Sequence, residues 1–166
     1  CVAGPKMSRT LRVCLIFHST RSDNLGVGAL TVSEIALLRD LDTDLTLARG
    51  RSLVSIFIGG GTPSLFSADS IHSIIEGVQQ RLPVAADTEI TLEANPGTFE
   101  QDKFAGYRTA GINRLSIGIQ SFNAGHLKAL GRIHDEAEAL RAVDMARRAG
   151  FDNLNLDLMK GLPGQT

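Results

Sequence analysis

Three segments of this chain alternate apolar and polar residues, and stretches with helical spacing separate them. In "TEITLEAN", Ile90, Leu92 and Ala94 fall on one side, and Glu89, Thr91, Glu93 and Asn95 on the other. In "NRLSIGIQ", Leu115, Ile117 and Ile119 oppose Ser116, Gly118 and Gln120. In "NLNLDLM", Leu154, Leu156 and Leu158 oppose Asn155 and Asp157. A period of two is the mark of a β-strand, and strands spaced by helices imply βαβ units and a parallel sheet. Strands covered on both faces by helices read as continuous apolar runs. These strands do not, so one face packs on helices and the other looks into a cavity or at a ligand, because unpaired buried polar groups are costly. A barrel, or part of one, with a polar interior meets that demand better than a doubly wound sheet.

The remaining elements fit this scheme. "LVSIFI" reads as a further strand, and "LRVCLIFH" as an earlier one. "STRSDNLGVGAL" reads as a loop. Ser33 is expected to cap a helix that buries Ile35, Leu38, Leu41 or Leu45 and stops at Gly50. Ser67 to Gln80 is a helix with Ile71, Ile74, Ile75 and Val78 on its buried stripe. Thr98, with Gln101 three residues on, has capping-box spacing. "NAGHLKAL" is a short helix, and a longer one runs from an Asp135 cap to Gly150.

A net charge of −1 gives no support for a nucleic-acid surface. No apolar run is long enough to span a bilayer, and the chain reads as cytoplasmic. Cys1 and Cys14, with twelve residues between them, are its two cysteines, too few for an all-cysteine metal site. A start at Cys1 and a stop after "GLPGQT" read as cuts in a longer protein.

Active sites of parallel barrels lie at the C-terminal ends of the strands. Those ends carry Gly59 to Thr62, Glu93 with Asn95, Gln120 and Asp157. The triple glycine of "SIFIGGGTPSLF" lacks the Gly-Lys-Ser/Thr of a phosphate-binding loop, and Ser64 stands where a dinucleotide fingerprint needs its third glycine. Either it is a tight strand-to-helix turn, or it lets a ligand approach the backbone without a Cβ in the way. Glu93 alone reads equally as a structural acid, and Asn155 and Asp157 as partners of each other. Arg132 suits pairing with a carboxylate. His134, a lone histidine, is left out of the site, and Arg147 and Arg148 read as a solvated helix face.

The segments "FIGGGTPSL", "EITLEANPGT", "AGINRLSIGIQSF", "LGRIH" and "NLDLMKGLPGQT" together closely resemble one family. It is the radical S-adenosylmethionine (SAM) group that contains oxygen-independent coproporphyrinogen III oxidase and the heme chaperone HemW, and the wording of "EANPG", "GIQSF" and "LGRIH" is nearer the chaperone. The resemblance implies an α/β partial TIM-type barrel, here truncated. It divides the chain into a divergent segment, residues 1–36, and a partial barrel, residues 37–166. It implies SAM and a [4Fe–4S] cluster as cofactors, reductive SAM cleavage to a deoxyadenosyl radical, and heme or a porphyrinogen as partner of the parent protein. By the same resemblance Gly60, Gly61, Thr62, Glu93, Gln120, Arg132 and Asp157 bind SAM.

One departure accompanies the match. The family holds its cluster with a Cys-x-x-x-Cys-x-x-Cys loop after the first strand, and no such spacing exists here. Cys14 reads as a remnant of that loop, and the segment around it as the product of a shifted reading frame. No metal ligand is assigned. The expectations are a chaperone-like protein, an oxidase in the alternative, or a chain inactive for want of the cluster loop.

Overall fold

A computed structural model describes residues 10–16, 27–48, 51–60, 62–96, 101–162 and 164–165. Five strands, β1 (Thr10–Ile16), β2 (Ser52–Gly59), β3 (Val84–Ala94), β4 (Arg114–Gln120) and β5 (Asn153–Leu158), form one sheet in chain order. All neighbouring pairs are parallel. The order never reverses, so there is no switch point of the doubly wound kind. The sheet is an open arc, consistent with a partial barrel.

Register turns the sequence alternation into two faces. Ile58, Leu92, Leu115 and Leu154 lie in one row, and Glu93, Ser116 and Asn155 in the next. The apolar rows pack against helices α1 (Val27–Ala48), α2 (Ala68–Gln79), α3 (Gln101–Thr109) and α5 (Glu136–Arg148). Ile71, Ile74, Ile75 and Val78 of α2 are all buried, as their spacing requires. Gly77 has a packing reason: a Cβ there would stand 2.7 Å from Leu38 of α1, so the missing side chain lets the two helices close. Ser67 caps α2 by accepting from the Ser70 amide, and Asp135 and Glu138 complete a capping box on α5. The fully buried Phe104 and Phe151 meet edge to face between α3 and the start of β5.

Four expectations need correction. Helix α1 begins at Val27, so Ser33 lies inside it rather than at its cap; the cost of glycine in a helix, about 1 kcal/mol, is outweighed where Leu37, Leu38, Leu41 and Leu45 pack on the core. Ile35 is exposed and off that stripe. Cys14 sits within β1, in register with Phe57, and not in a loop after it. Leu156 and Leu158 are exposed, although Leu154 of the same strand packs against the core. Thr98, Gly50 and Cys1 lie outside the described residues. Among the described residues no helix is long and apolar enough to cross a membrane.

Candidate functional site

The C-terminal ends of β2 to β5 carry the expected residues on the polar face. β2 ends at Gly59, where a Cβ would meet the Phe57 ring at 2.5 Å and the Glu93 carboxylate at 3.0 Å. Glycine is required there so that Glu93 can close on the strand end. Gly60 follows at φ 84°, a left-handed conformation that costs glycine little. Its N–H donates to Glu93 Oε2 at 2.9 Å. Gly61 lies outside the described residues. Thr62 leads into a 3₁₀ turn, Pro63–Leu65, without capping it through its side chain.

That turn is anchored from α3. The Tyr107 hydroxyl lies 2.8 Å from the Ser64 carbonyl and 2.7 Å from that of Phe66, and its one proton is shared between them. Lys103 Nζ also donates to Ser64 O, at 2.9 Å. Tyr107 is fully buried, and burial raises its pKa far above the ordinary phenol value, so it stays a donor.

Across the sheet, Glu93 is in register with Ser116, and Ser116 with Asn155. Ser116 Oγ donates to Asp157 Oδ2 at 3.0 Å, and Asn155 Nδ2 reaches Asp157 Oδ1 at 2.7 Å and Ser116 Oγ at 3.0 Å. The pairing of Asn155 with Asp157 weighed above is therefore present, yet a carboxylate has about four acceptor positions, and these bonds leave Asp157, which is exposed, free to accept more.

Gln120 ends β4 at φ 67°. Its carbonyl accepts from the Met159 amide at 2.8 Å. A Cβ on Gly118 would stand 3.0 Å from Gln120 Nε2 and 3.1 Å from Asn95 Oδ1, so that glycine makes room for both amides. Arg132 is exposed, in the loop after α4 (Ala124–Ala129), and makes none of the ion pairs among the described residues. It lines a groove of about 360 Å³ with Ala124, Leu127, Lys128 and His134.

The structure thus gathers Gly60, Thr62, Glu93, Gln120 and Asp157 along one edge of the polar face, with Arg132 on an adjoining loop. A larger cavity, about 560 Å³, lies at the opposite end of the sheet beside Arg51 and Arg81 and contains none of them. Ser116, Tyr107 and His134 bond to these segments and were not singled out in the sequence as doing so. Alternation did place Ser116 on the polar face, but a lone tyrosine or histidine carries no such signal. Among the described residues no group of three or more His, Cys, Asp or Glu side chains is arranged to hold a metal ion, and Cys14 is a free, exposed thiol.

Comparison with known proteins agrees with this fold. Residues 34–166 match the radical SAM superfamily. The heme chaperone HemW of Escherichia coli is 56% identical over 130 residues, covering 78% of this chain and 34% of that protein. HemW of Haemophilus influenzae is 54% identical over 134 residues, covering 78% and 35%. The solved structure of coproporphyrinogen III oxidase (HemN) from E. coli, a radical SAM enzyme, superposes with a TM-score of 0.77 at 28% identity, covering 95% of this chain and 38% of that one. The chain spans about a third of the length of these relatives. The chain belongs to the radical SAM superfamily, and within it the sequence is HemW-like.

Proposed function

We propose that this chain is the SAM-binding part of a heme chaperone of the HemW kind. The observation that carries the reading is the 56% identity to HemW, joined to a row of polar groups along the strand ends. SAM presents an ammonium, a carboxylate, a sulfonium, ribose hydroxyls and an adenine. The donor set fits it. Glu93 and Asp157 supply acceptors and negative charge for the ammonium, the sulfonium and the hydroxyls. Arg132 supplies a fork for the carboxylate. Gln120 both donates and accepts. Gly60 and Thr62 offer backbone groups at a tip where glycine at position 59 already admits Glu93, and Gly61 is assigned with them by the family resemblance alone.

The cluster is a different matter. Its thiolate ligands cannot come from a sequence with two cysteines, one of them inside β1. The residues present do not fit a [4Fe–4S] group, and no reductive step is assigned to them. This favours a chain that binds SAM without cleaving it. The likeness to coproporphyrinogen III oxidase favours an oxidase as the second reading. The boundary near residue 36, a cytoplasmic setting, and heme or a porphyrinogen as partner belong to the same proposal.

The test uses a complete protein carrying this sequence. Iron and sulfide are counted, SAM and heme are titrated, and coproporphyrinogen turnover is assayed. SAM and heme binding without turnover is expected. Turnover without heme binding would establish the oxidase, and failure to bind SAM would overturn the reading. About four irons per chain surviving desalting would contradict the misfit of the cluster.

A further inference from the structure

Gln120 is the one non-glycine residue among the described residues with a positive φ, 67°. The Ser121 amide donates to the Ile119 carbonyl at 2.8 Å. A bond spanning three residues closes a γ-turn, and a positive φ at its centre marks the rare, strained form. Such a conformation persists only where its surroundings impose it, and it collects at ligand sites.

The surroundings include one buried side chain. His134 is 6% exposed, and its Nε2 lies 3.0 Å from the same Ile119 carbonyl. A carbonyl only accepts, so Nε2 carries the proton of this bond. Ile119 O therefore holds two donors, one from the turn and one from the loop after α4. That loop is fixed on both sides of His134. The Arg132 amide donates to Leu127 O at 2.9 Å, and Asp135 caps α5. Arg132 stands two residues before His134, so one bond links the turn of Gln120 to the loop that carries Arg132.

We propose that His134 is a positioning residue that locks the left-handed turn at Gln120 and sets Arg132 beside it. The consequence for ligand affinity rests on the SAM-binding reading above; the lock itself does not.

The experiment uses a complete chain carrying this sequence and four variants: His134→Gln, which keeps a donor of similar reach; His134→Leu, which has none; Gln120→Gly, which adopts the turn without strain; and the His134→Leu, Gln120→Gly double. The rate of Ser121 amide exchange reports the turn, and calorimetry reports SAM affinity. His134→Leu is expected to speed Ser121 exchange at least about tenfold and weaken SAM about tenfold, while His134→Gln stays within about threefold of the parent on both. In the Gln120→Gly background, His134→Leu should change Ser121 exchange by less than about threefold. Unchanged exchange in His134→Leu, equal losses in His134→Gln and His134→Leu, or faster exchange with SAM affinity intact would each overturn the proposal. Should His134→Leu not fold, His134→Asn, whose shorter amide falls short of Ile119 O, takes its place. A parent that does not bind SAM defeats the functional reading, and Ser121 exchange still decides the lock.

Discussion

The central strand β3 and the edge strand β5 obey the same alternating pattern and reach opposite outcomes. At β3, Leu92 is wholly buried and Ala94 nearly so, and Glu93 is tied to the Gly60 amide. Behind this part of the sheet stand α2 and α3, with Tyr107 clamping the turn after the glycine tip. At β5, Leu156 and Leu158 occupy equivalent alternating positions yet are 39% and 60% exposed. Asp157 is held there only by Ser116 and Asn155 among the described residues. Alternation specifies which residues share a face. Whether that face is buried depends on what packs behind it. The proposed SAM surface thus joins a built wall to an open one.

Replacing one leucine on each strand breaks the comparison most strongly. Leu92→Ala should cost about 2–5 kcal/mol, as expected for a buried leucine, and Leu158→Ala should stay within about 0.5 kcal/mol. Urea unfolding of each variant decides it, and equal costs would mean that the two faces do not differ. Next comes the clamp. Tyr107→Phe strips a buried donor from two carbonyls and should cost about 1–3 kcal/mol by the same measurement.

On the open side, Ser116→Ala removes the hydroxyl between Asn155 and Asp157. Its expected cost is about 1 kcal/mol, smaller than the clamp because Asp157 retains water. The smallest effect lies away from both walls, on the helices. Asp42 has its pKa lowered, chiefly by the hydrogen bond from Arg81, at 2.6 Å. A lowered carboxyl pKa contributes stability that is present above the unfolded value, about 3.9, and is lost as pH falls through the folded one. Arg81→Gln should therefore move the Asp42 midpoint, followed by NMR titration, upward toward the ordinary range.

How much could be read in advance follows the same division. The buried stripe of α2, the cap at Asp135, and the polar rows of β3 and β4 were legible because periodicity and capping chemistry are local. The placement of Glu93, Gln120 and Asp157 at or near the strand ends was legible for the same reason. The start of α1 was not, because "VGAL" with its glycine reads as loop and carries no capping signal, whereas the helix begins at Val27. The exposure of Leu156 and Leu158 was not, because alternation assigns residues to a face and does not say what covers it. The turn at Gln120 left no trace either, since no glycine marks it; the side chain proposed to lock it, His134, lies fifteen residues from its partner Ile119.

The account's central claim is that SAM lies across the polar strand ends, between the wall of Glu93 and the open side of Asp157. Calorimetric titration of SAM into a complete protein carrying this sequence, beside Glu93→Gln and Asp157→Asn, tests it most directly. Each substitution keeps shape and removes one charge, so the account predicts affinity weaker by roughly tenfold in each, with the fold intact by circular dichroism. If both variants bind SAM as the parent does, the ligand does not rest on these carboxylates and the site is wrongly placed.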